Sequence, residues 1–164
     1  MRKETVITIL TAGILAAGCF LFFLFLYPYH NLLKEQMTLF LHSGEHFLTY
    51  LSKPAWLAGY TGDLLTQFYI HPAGGAFLVT ASLLAEWLLF RCVLRKFGMR
   101  SLFSSLIAAV PVFIEYLLHF GLHYPLSSTF STLVALVTLI AFMRLRSNSL
   151  YYWLALPAAA MLYL

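Results

Sequence analysis

Five long apolar runs, separated by short polar or turn-forming segments, dominate the pattern along the chain. They cover approximately residues 5–27, 75–94, 102–122, 126–143 and 150–164. A helix needs about 20 apolar residues to cross a hydrocarbon layer about 30 Å thick. The first four runs therefore predict four transmembrane helices, and the fifth predicts a further, shorter apolar helix.

The fifth run differs from the others because it covers only 15 residues and contains Pro157. That length is short for a membrane span. We therefore expect residues 1–164 to be the front portion of a longer membrane protein. The alternative is a complete small protein whose last helix is short or half inserted.

The loop 28–72 is the only long segment that cannot cross a bilayer. Apolar residues recur in its first half at steps of three and four, which predicts an amphipathic helix. Gly44 weakens that helix, and Lys53-Pro54 ends it because a residue before proline avoids helical backbone angles. A second one-sided segment covers residues 58–70. We expect both helices to lie flat in the membrane interface, with their polar sides toward water or another part of the protein.

Composition places the chain among membrane proteins. Apolar residues make up 62% of it and charged residues only 10%, whereas roughly a quarter of the residues of a soluble domain are charged. The predicted fold class is all-α. We expect a single polytopic membrane domain with four to five transmembrane helices and two interfacial amphipathic helices in the first loop.

The net charge of +4 comes from short basic clusters that flank the apolar runs, which indicates membrane topology and excludes a nucleic-acid partner. With a cytoplasmic amino terminus, eight of the ten Lys and Arg residues lie on the cytoplasmic side, leaving Lys34 and Lys53 outside. This distribution satisfies the positive-inside rule. We expect a bacterial inner (plasma) membrane protein whose loop 28–72 is extracytoplasmic.

A cleaved signal peptide is the rival interpretation of the first run, because Ala16-Ala17-Gly18-Cys19 loosely resembles a lipoprotein cleavage site. The apolar run continues through residues 20–26, beyond the usual signal core of about 7 to 15 residues. An uncleaved membrane anchor is therefore favoured.

A first histidine pattern in the loop raises the question of a divalent metal cofactor. His42-Ser43-Gly44-Glu45-His46 matches H-x-x-E-H, in which two helical histidines bind zinc and the glutamate activates water. Such a site also needs a third ligand and a large substrate chamber. The alternative is that His42, Glu45 and His46 form a solvated polar face.

A second group of candidates lies at the end of the third span. Glu115, His119 and His123 are spaced i, i+4, i+8, so they drift only about 80° around a helix and could face one point. Of the two histidine patterns, this one is the better candidate for a metal or proton site. In the structural alternative the two histidines are interfacial residues and Glu115 is bonded to a neighbouring helix.

Glu86 lies inside the second span. An ionised group there costs about 2.5 to 3.5 kcal/mol on insertion scales, so Glu86 should be paired or face the bundle interior. We expect Arg91 or Arg95 as its partner. The functional alternative is that Glu86 and Glu115 serve as intramembrane charges in a small proton-linked transporter.

Three acids of the loop, Glu35, Glu45 and Asp63, are the candidate catalytic residues. A carboxylate near a membrane surface can act as a general base toward an incoming hydroxyl, or it can coordinate a divalent metal. An acid on the wet side of an interfacial helix also needs no function. For any single one of these acids, the interpretation without a function is the favoured one.

Two resemblances bear on the function. Residues 57–68 and 71–76 resemble an uncharacterised family of large bacterial multi-spanning proteins known as a domain of unknown function. The order of one span, a long amphipathic loop and closely spaced spans is similar to the opening module of the C-type glycosyltransferase superfamily. That second resemblance implies catalytic acids in the first loop and a polyprenyl-phosphate sugar as donor.

The sequence departs from the glycosyltransferase pattern at several points. Tyr27-Pro28-Tyr29-His30 stands where an acid usually follows the first span, so Glu35 is the first acid available. No Asp-x-Asp pair occurs, and the superfamily has more spans. The enzyme hypothesis therefore requires additional residues beyond Leu164, or a partner subunit, to complete the fold.

The leading hypothesis is an inner-membrane protein that transfers a sugar from a lipid carrier at the extracytoplasmic face. The loop acids would act as bases, with His42, His46, His119 and His123 as supporting donors or ligands. Its expected partners are the lipid bilayer, a polyprenyl-phosphate lipid and other membrane subunits. The rival hypothesis is a non-catalytic subunit or scaffold that docks a partner through its amphipathic loop.

Overall fold

The computed structural model describes residues 2–38 and 40–145, and every regular element within them is helical. Seven α-helices occur there, with a π-helical turn at Phe22–Leu26 and a 3₁₀ turn at Gln67–Ile70. The α-helices are α1 (Arg2–Leu21), α2 (Pro28–Met37), α3 (Gly44–Leu51), α4 (Trp56–Thr66), α5 (Pro72–Lys96), α6 (Ser101–Leu118) and α7 (Leu126–Leu145). The predicted all-α class is confirmed.

Four segments are long and apolar enough to cross a membrane. They are Thr5–Leu26, Pro72–Lys96, Ser101–Leu118 and Leu126–Arg144. They fall on the first four apolar runs of the sequence. The second begins earlier than expected because Pro72 occupies the first turn of α5, where its missing N–H costs no hydrogen bond. The apolar run 150–164 lies outside the described residues.

Helix α5 is central and packs against α1, α2, α6 and α7. Val79, Leu83 and Trp87 on α5 are completely buried and share one core with Ala108 and Val112 of α6. Buried serines on α6 let the two helices approach closely. The indole N–H of Trp87 donates to the backbone carbonyl of Ser105 at 3.0 Å, which locks the register of α5 against α6.

The ends of α1 and α6 meet the starts of α5 and α7 at one end of the bundle, here called the loop end. The rings of Phe22 and Phe120 stack with their centroids 5.1 Å apart, which joins the end of α1 to the end of α6. The loop 28–72 packs on the same end, because Asn31 of α2 contacts Gly75 at the start of α5. Polar residues of α6, α7 and the loop therefore converge there.

Helix α2 turns its polar side toward the bundle. His30, Asn31 and Lys34 are buried, whereas Leu33 and Met37 are exposed. A Cβ atom at Gly75 would lie 3.0 Å from the amide nitrogen of Asn31, so a larger residue there would push α2 away from α5. The polar face of this amphipathic helix thus contacts protein, and its apolar face points outward.

The loop contains three helices, whereas the sequence predicted two. The chain leaves the helical conformation after Met37, and α3 begins at Gly44. Ser43 caps α3, because its hydroxyl accepts the backbone N–H of His46 at 3.2 Å. Apolar periodicity continues across the break, which is why one helix was expected as far as Lys53. A serine N-cap satisfies a free backbone donor, and it starts a new helix at Gly44.

Helix α4 packs on α7 through small residues. Ala58, Gly62 and Thr66 are buried at intervals of one turn. A Cβ atom at Gly62 would lie 2.4 Å from the Cα atom of Ser127. Such an approach requires glycine, because small residues let helix backbones come close together. The second amphipathic segment is thereby held against a span.

Candidate functional site

A single backbone carbonyl at the loop end receives two side-chain donors from α2. The Lys34 ammonium donates to the carbonyl oxygen of His119 at 3.0 Å, and Nε2 of His30 lies 3.0 Å from the same oxygen. A carbonyl oxygen only accepts, so this imidazole nitrogen is the protonated one. His119 caps the carboxyl end of α6, where the helix dipole is negative and favours cationic partners.

The surroundings shift the ionisation of all three side chains. Burial lowers the pKa of Lys34 to about 8. Burial, and then the charge of Lys34, lowers the pKa of His30 against the opposing effect of backbone hydrogen bonds at His119 and Gly121. Burial, followed by the charges of Lys34 and His30, lowers the pKa of His119 to about 3. The site therefore combines neutral imidazoles with an ammonium that can release its proton near pH 8.

A second network surrounds the carboxylate of Glu115. The phenol of Tyr124 donates to Oε1 of Glu115 at 2.6 Å, and the hydroxyl of Thr129 donates to the same oxygen at 2.7 Å. Nε2 of His119 lies 2.9 Å from the Thr129 hydroxyl. Because that hydroxyl gives its only proton to Glu115, it accepts from His119. The network joins α6, the turn that follows it and α7.

The predicted trio of Glu115, His119 and His123 does not converge. Helix α6 ends at Leu118, so His123 lies beyond the helical repeat on which the prediction rested, and its side chain is exposed. The side chains of Glu115 and His119 are linked through the Thr129 hydroxyl. The structural alternative, in which Glu115 bonds to a neighbouring helix, describes the observed geometry.

The H-x-x-E-H segment also lacks the geometry of a zinc site. His42 precedes the cap of α3, so His42 and His46 do not share a helical face. His42 and Glu45 are exposed, whereas the His46 ring packs edge-on against Phe40 and Tyr50. Throughout residues 2–38 and 40–145, no three His, Cys, Asp or Glu side chains are placed to hold a metal ion.

A cavity of about 180 Å³ opens at the loop end. Its polar wall is formed by side chains from α2, α4, the 3₁₀ turn and the turn before α7: Lys34, Asp63, Thr66, Tyr69, His123 and Tyr124. The carboxylate of Asp63 accepts a hydrogen bond from the phenol of Tyr50 at 2.7 Å. Side chains of Lys34, Asp63 and Tyr124 from three different parts of the chain therefore line the same small volume.

Only one of the three candidate loop acids reaches this cavity. Asp63 lines it, whereas Glu35 and Glu45 do not. Glu35 is half-buried on α2, and Glu45 is exposed on α3. The structure thus brings Asp63 together with Lys34 and His123, and it leaves the other two acids apart.

Among the described residues, Glu86 is found in no ion pair with Arg91 or Arg95, the partners expected from the sequence. Its side chain is 2% exposed, and Oε2 has no hydrogen-bond partner among the described residues. The guanidinium of Arg91 instead donates to hydroxyls of Thr8, Ser101 and Ser105 at 3.0 to 3.1 Å. Arg91 follows Glu86 by five positions, which places the two side chains on different sides of α5.

Glu86 lies within electrostatic reach of the loop-end network. The pKa of Tyr124 is raised by burial, then by its bond to Glu115 and by the charges of Glu115 and Glu86, while Thr129 opposes the shift. Glu115 also acts electrostatically on Glu86. The carboxylate of Glu115 therefore lies directly behind the phenol that lines the cavity.

Several other buried polar atoms near the loop end lack partners among the described residues. They are Nδ2 of Asn31, the Tyr69 hydroxyl and the Thr80 hydroxyl. Leaving such a group unpaired costs about 1 to 3 kcal/mol, and ordered water commonly satisfies it. The region is therefore suited to hold water or a polar ligand.

Sequence reasoning missed four contributors to the site, namely Lys34, Tyr69, Tyr124 and Thr129. Two of these residues have sequence features from which a role in the site could have been predicted. Lys34 is one of only two basic residues in the loop, and Thr129 ends a hydroxyl-rich start of the fourth span. Nothing local distinguishes Tyr69 or Tyr124 from other interfacial tyrosines.

Comparison with known proteins identifies a family without assigning an activity. No curated protein matches the chain, and no solved structure matches it. The family described as a family of unknown function (DUF6057) matches residues 3–164. The chain therefore belongs to this family of unknown function, DUF6057.

Proposed function

We propose that this protein binds a lipid-linked sugar phosphate at the extracytoplasmic face of the bacterial inner membrane and transfers the sugar to an acceptor hydroxyl. The observation that carries the proposal is that Lys34 and Asp63 line the same cavity at the loop end. A cation can bind a phosphate, and a carboxylate can accept the proton of an incoming hydroxyl as a general base. One small site thus offers both groups that the reaction needs.

Each side chain has a defined part in the proposed step. Asp63 takes the proton of the acceptor hydroxyl as that oxygen attacks the anomeric carbon of the sugar. The bond from the anomeric carbon to the phosphate oxygen breaks, and the phosphate leaves with the electron pair. Lys34 stabilises the negative charge on the phosphate, and Tyr50 orients Asp63 through its 2.7 Å hydrogen bond.

The proposed orientation places the amino terminus in the cytoplasm. The loop end then faces the outside of the cell, because α1 crosses the membrane once before the loop. The polyprenyl chain of the donor would stay in the outer leaflet beside the exposed apolar side chains of Leu33 and Met37 on α2. Its phosphate would enter the cavity between α2 and α4.

The test uses the full chain in lipid nanodiscs with a radiolabelled polyprenyl-phosphate sugar. Lys34→Met should lose binding of polyprenyl phosphate, because the ammonium is removed while the apolar stem is kept. Asp63→Asn should keep binding and lose release of the sugar to an acceptor. Lys96→Met, at the opposite end of the bundle, and Glu45→Gln are matched controls at exposed positions and should behave as wild type. Wild-type protein that binds no polyprenyl phosphate would exclude the proposal.

A second candidate is a non-catalytic subunit that docks a membrane partner. It is supported by the exposed apolar side chains of Leu41, Leu48 and Leu51 in and around α3. Photocrosslinkers at Leu48 and Leu51 in intact membranes should then capture one protein partner. Crosslinks to lipid alone would exclude the docking role.

A further inference from the structure

The end of the bundle opposite the loop end carries exposed cations that the proposed transfer does not use. Half-buried Arg91 of α5 is not one of them, because its guanidinium donates to three hydroxyls within the bundle. The exposed cations follow it at the ends of three helices. They are Arg95 and Lys96 in the last turn of α5, Arg100 just before α6 and Arg144 in the last turn of α7, here called the basic edge.

Two contacts bring the three helix ends of the basic edge together. The Lys96 ammonium donates to the backbone carbonyl of Ile140 at 3.1 Å, and Ile140 precedes Arg144 by about one turn of α7. Between α5 and α6, the backbone N–H of Gly98 donates to the carbonyl of Arg95 at 3.0 Å, and Gly98 has a φ of +83°. This tight turn reverses the chain, so the start of α6 lies beside the end of α5.

Helix dipoles account for only part of this positive charge. The carboxyl ends of α5 and α7 are negative, which favours Arg95, Lys96 and Arg144 there. Arg100, however, is the N-cap of α6, where the dipole is positive and favours an anion. Helix α5 has a single acid, Glu86, ten residues or about 15 Å before Lys96, and α1 begins with two bases and one acid. This end therefore has an excess of positive charge that the described residues do not balance.

Exposed apolar side chains lie directly beside the basic edge. Phe97 is 71% exposed in the turn itself, and Leu102 and Phe103 in the first turn of α6 are 43% and 54% exposed. Helices α5 and α6 are both long and apolar enough to cross a membrane, so the turn between them lies where hydrocarbon meets the headgroups. A ligand that fits this place presents an anionic group and hydrocarbon together.

We propose that the basic edge binds the phosphate of an anionic phospholipid, whose acyl chains pack against Phe97 and the first turn of α6. A free phosphate or a soluble acidic peptide supplies the anion without the hydrocarbon. Basic residues next to a membrane span attract anionic lipid, and each adds roughly fivefold to the affinity. The bound lipid bridges the ends of α5, α6 and α7. Because the cavity lies at the other end of the bundle, this site is independent of sugar transfer.

Native mass spectrometry of the full chain in detergent tests the site, with phosphatidylglycerol and phosphatidylcholine of identical acyl chains as probes. Wild type should bind phosphatidylglycerol about tenfold more tightly than phosphatidylcholine, because only the former has net negative charge. Arg95→Gln/Arg100→Gln should lose about tenfold or more in affinity for phosphatidylglycerol, whereas Arg95→Lys/Arg100→Lys should retain it because both charges are kept. Lys53→Gln removes an exposed cation at the loop end and should bind as wild type.

Three results would overturn the lipid site. They are equal affinity of wild type for the two lipids, unchanged binding of phosphatidylglycerol by Arg95→Gln/Arg100→Gln, and displacement of the lipid by glycerol 3-phosphate, since the phosphate alone would then suffice. The substituted side chains are exposed, so the variants should unfold at the wild-type temperature in phosphatidylcholine nanodiscs. Each of these results leaves sugar transfer to be judged separately by the Lys34 and Asp63 variants.

Discussion

The Lys34 ammonium on α2 donates a hydrogen bond to the backbone carbonyl of His119 at the end of α6, a residue 85 positions away in the chain. This bond joins the amphipathic loop to a membrane span. It also brings a cation into a site where its side chain is only 6% exposed. The stability of the loop end should therefore depend on the ionisation of Lys34.

The first prediction concerns this pH dependence. Burial lowers the pKa of Lys34 from 10.5 to about 8 in the folded protein. As the pH falls from 10.5 to 8, the unfolded chain takes up the proton first. The free energy of unfolding therefore decreases by up to about 1.4 kcal/mol per pH unit. Below pH 8 both states are protonated and the loss is constant. Wild type should thus gain thermal stability relative to Lys34→Met between pH 8 and pH 10.

Thermal unfolding in detergent at a series of pH values measures this difference. Lys53→Met is the control, because Lys53 is exposed on the loop. Its unfolding curve should follow that of wild type across the whole range. Parallel pH dependence of wild type and Lys34→Met would contradict the prediction.

The second prediction concerns the packing of α4 on α7. A methyl group at Gly62 would lie 2.4 Å from the Cα atom of Ser127, so Gly62→Ala must push the two helices apart. We expect a loss of about 1 to 3 kcal/mol, seen as a lower unfolding temperature. Gly18→Ala is the matched control, since nothing lies within 4 Å of its added carbon. An unchanged unfolding temperature in Gly62→Ala would show that the helices do not meet in this way.

The third prediction concerns the two hydroxyls that share one oxygen of Glu115. Tyr124→Phe and Thr129→Val should each destabilise the protein by about 1 to 2 kcal/mol, because each removes a hydrogen bond to a buried carboxyl group. The stability lost in the double variant should differ from the sum of the two single losses by at least about 0.5 kcal/mol, since both hydrogen bonds end on the same atom. Thermal unfolding of the four proteins forms the cycle. Strict additivity would indicate that the two hydroxyls act independently.

The fourth prediction tests the proposed orientation. Lys53 in the loop and Lys96 at the opposite end of the bundle are both exposed. A membrane-impermeant amine reagent should modify Lys53 in intact cells and Lys96 only in inverted vesicles. Mass spectrometry of the labelled peptides distinguishes the two sites. Labelling of Lys53 only from the cytoplasmic side would reverse the assignment of the loop end.

Local periodicity was sufficient for some parts of the site and insufficient for others. The spacing of Glu115 and His119 along one helix indicated a polar cluster, and the structure places both in one network. His123 does not belong to that repeat, because α6 ends at Leu118 and the chain turns before His123. The hydroxyl partners of Arg91 could not be anticipated from its closeness to Glu86, because closeness in sequence does not give the direction of a side chain around α5.

The sequence by itself determined that this is an all-α protein with four helices able to span a membrane. Lipid cannot satisfy free backbone groups, so an apolar run of sufficient length has to form a helix there. Only the tertiary structure decided that α2 presents its polar side to the bundle and that Lys34, Asp63 and Tyr124 line one cavity. Those contacts join residues far apart in the chain, and they depend on close packing at Gly62 and Gly75, which no local pattern of apolar and polar residues encodes.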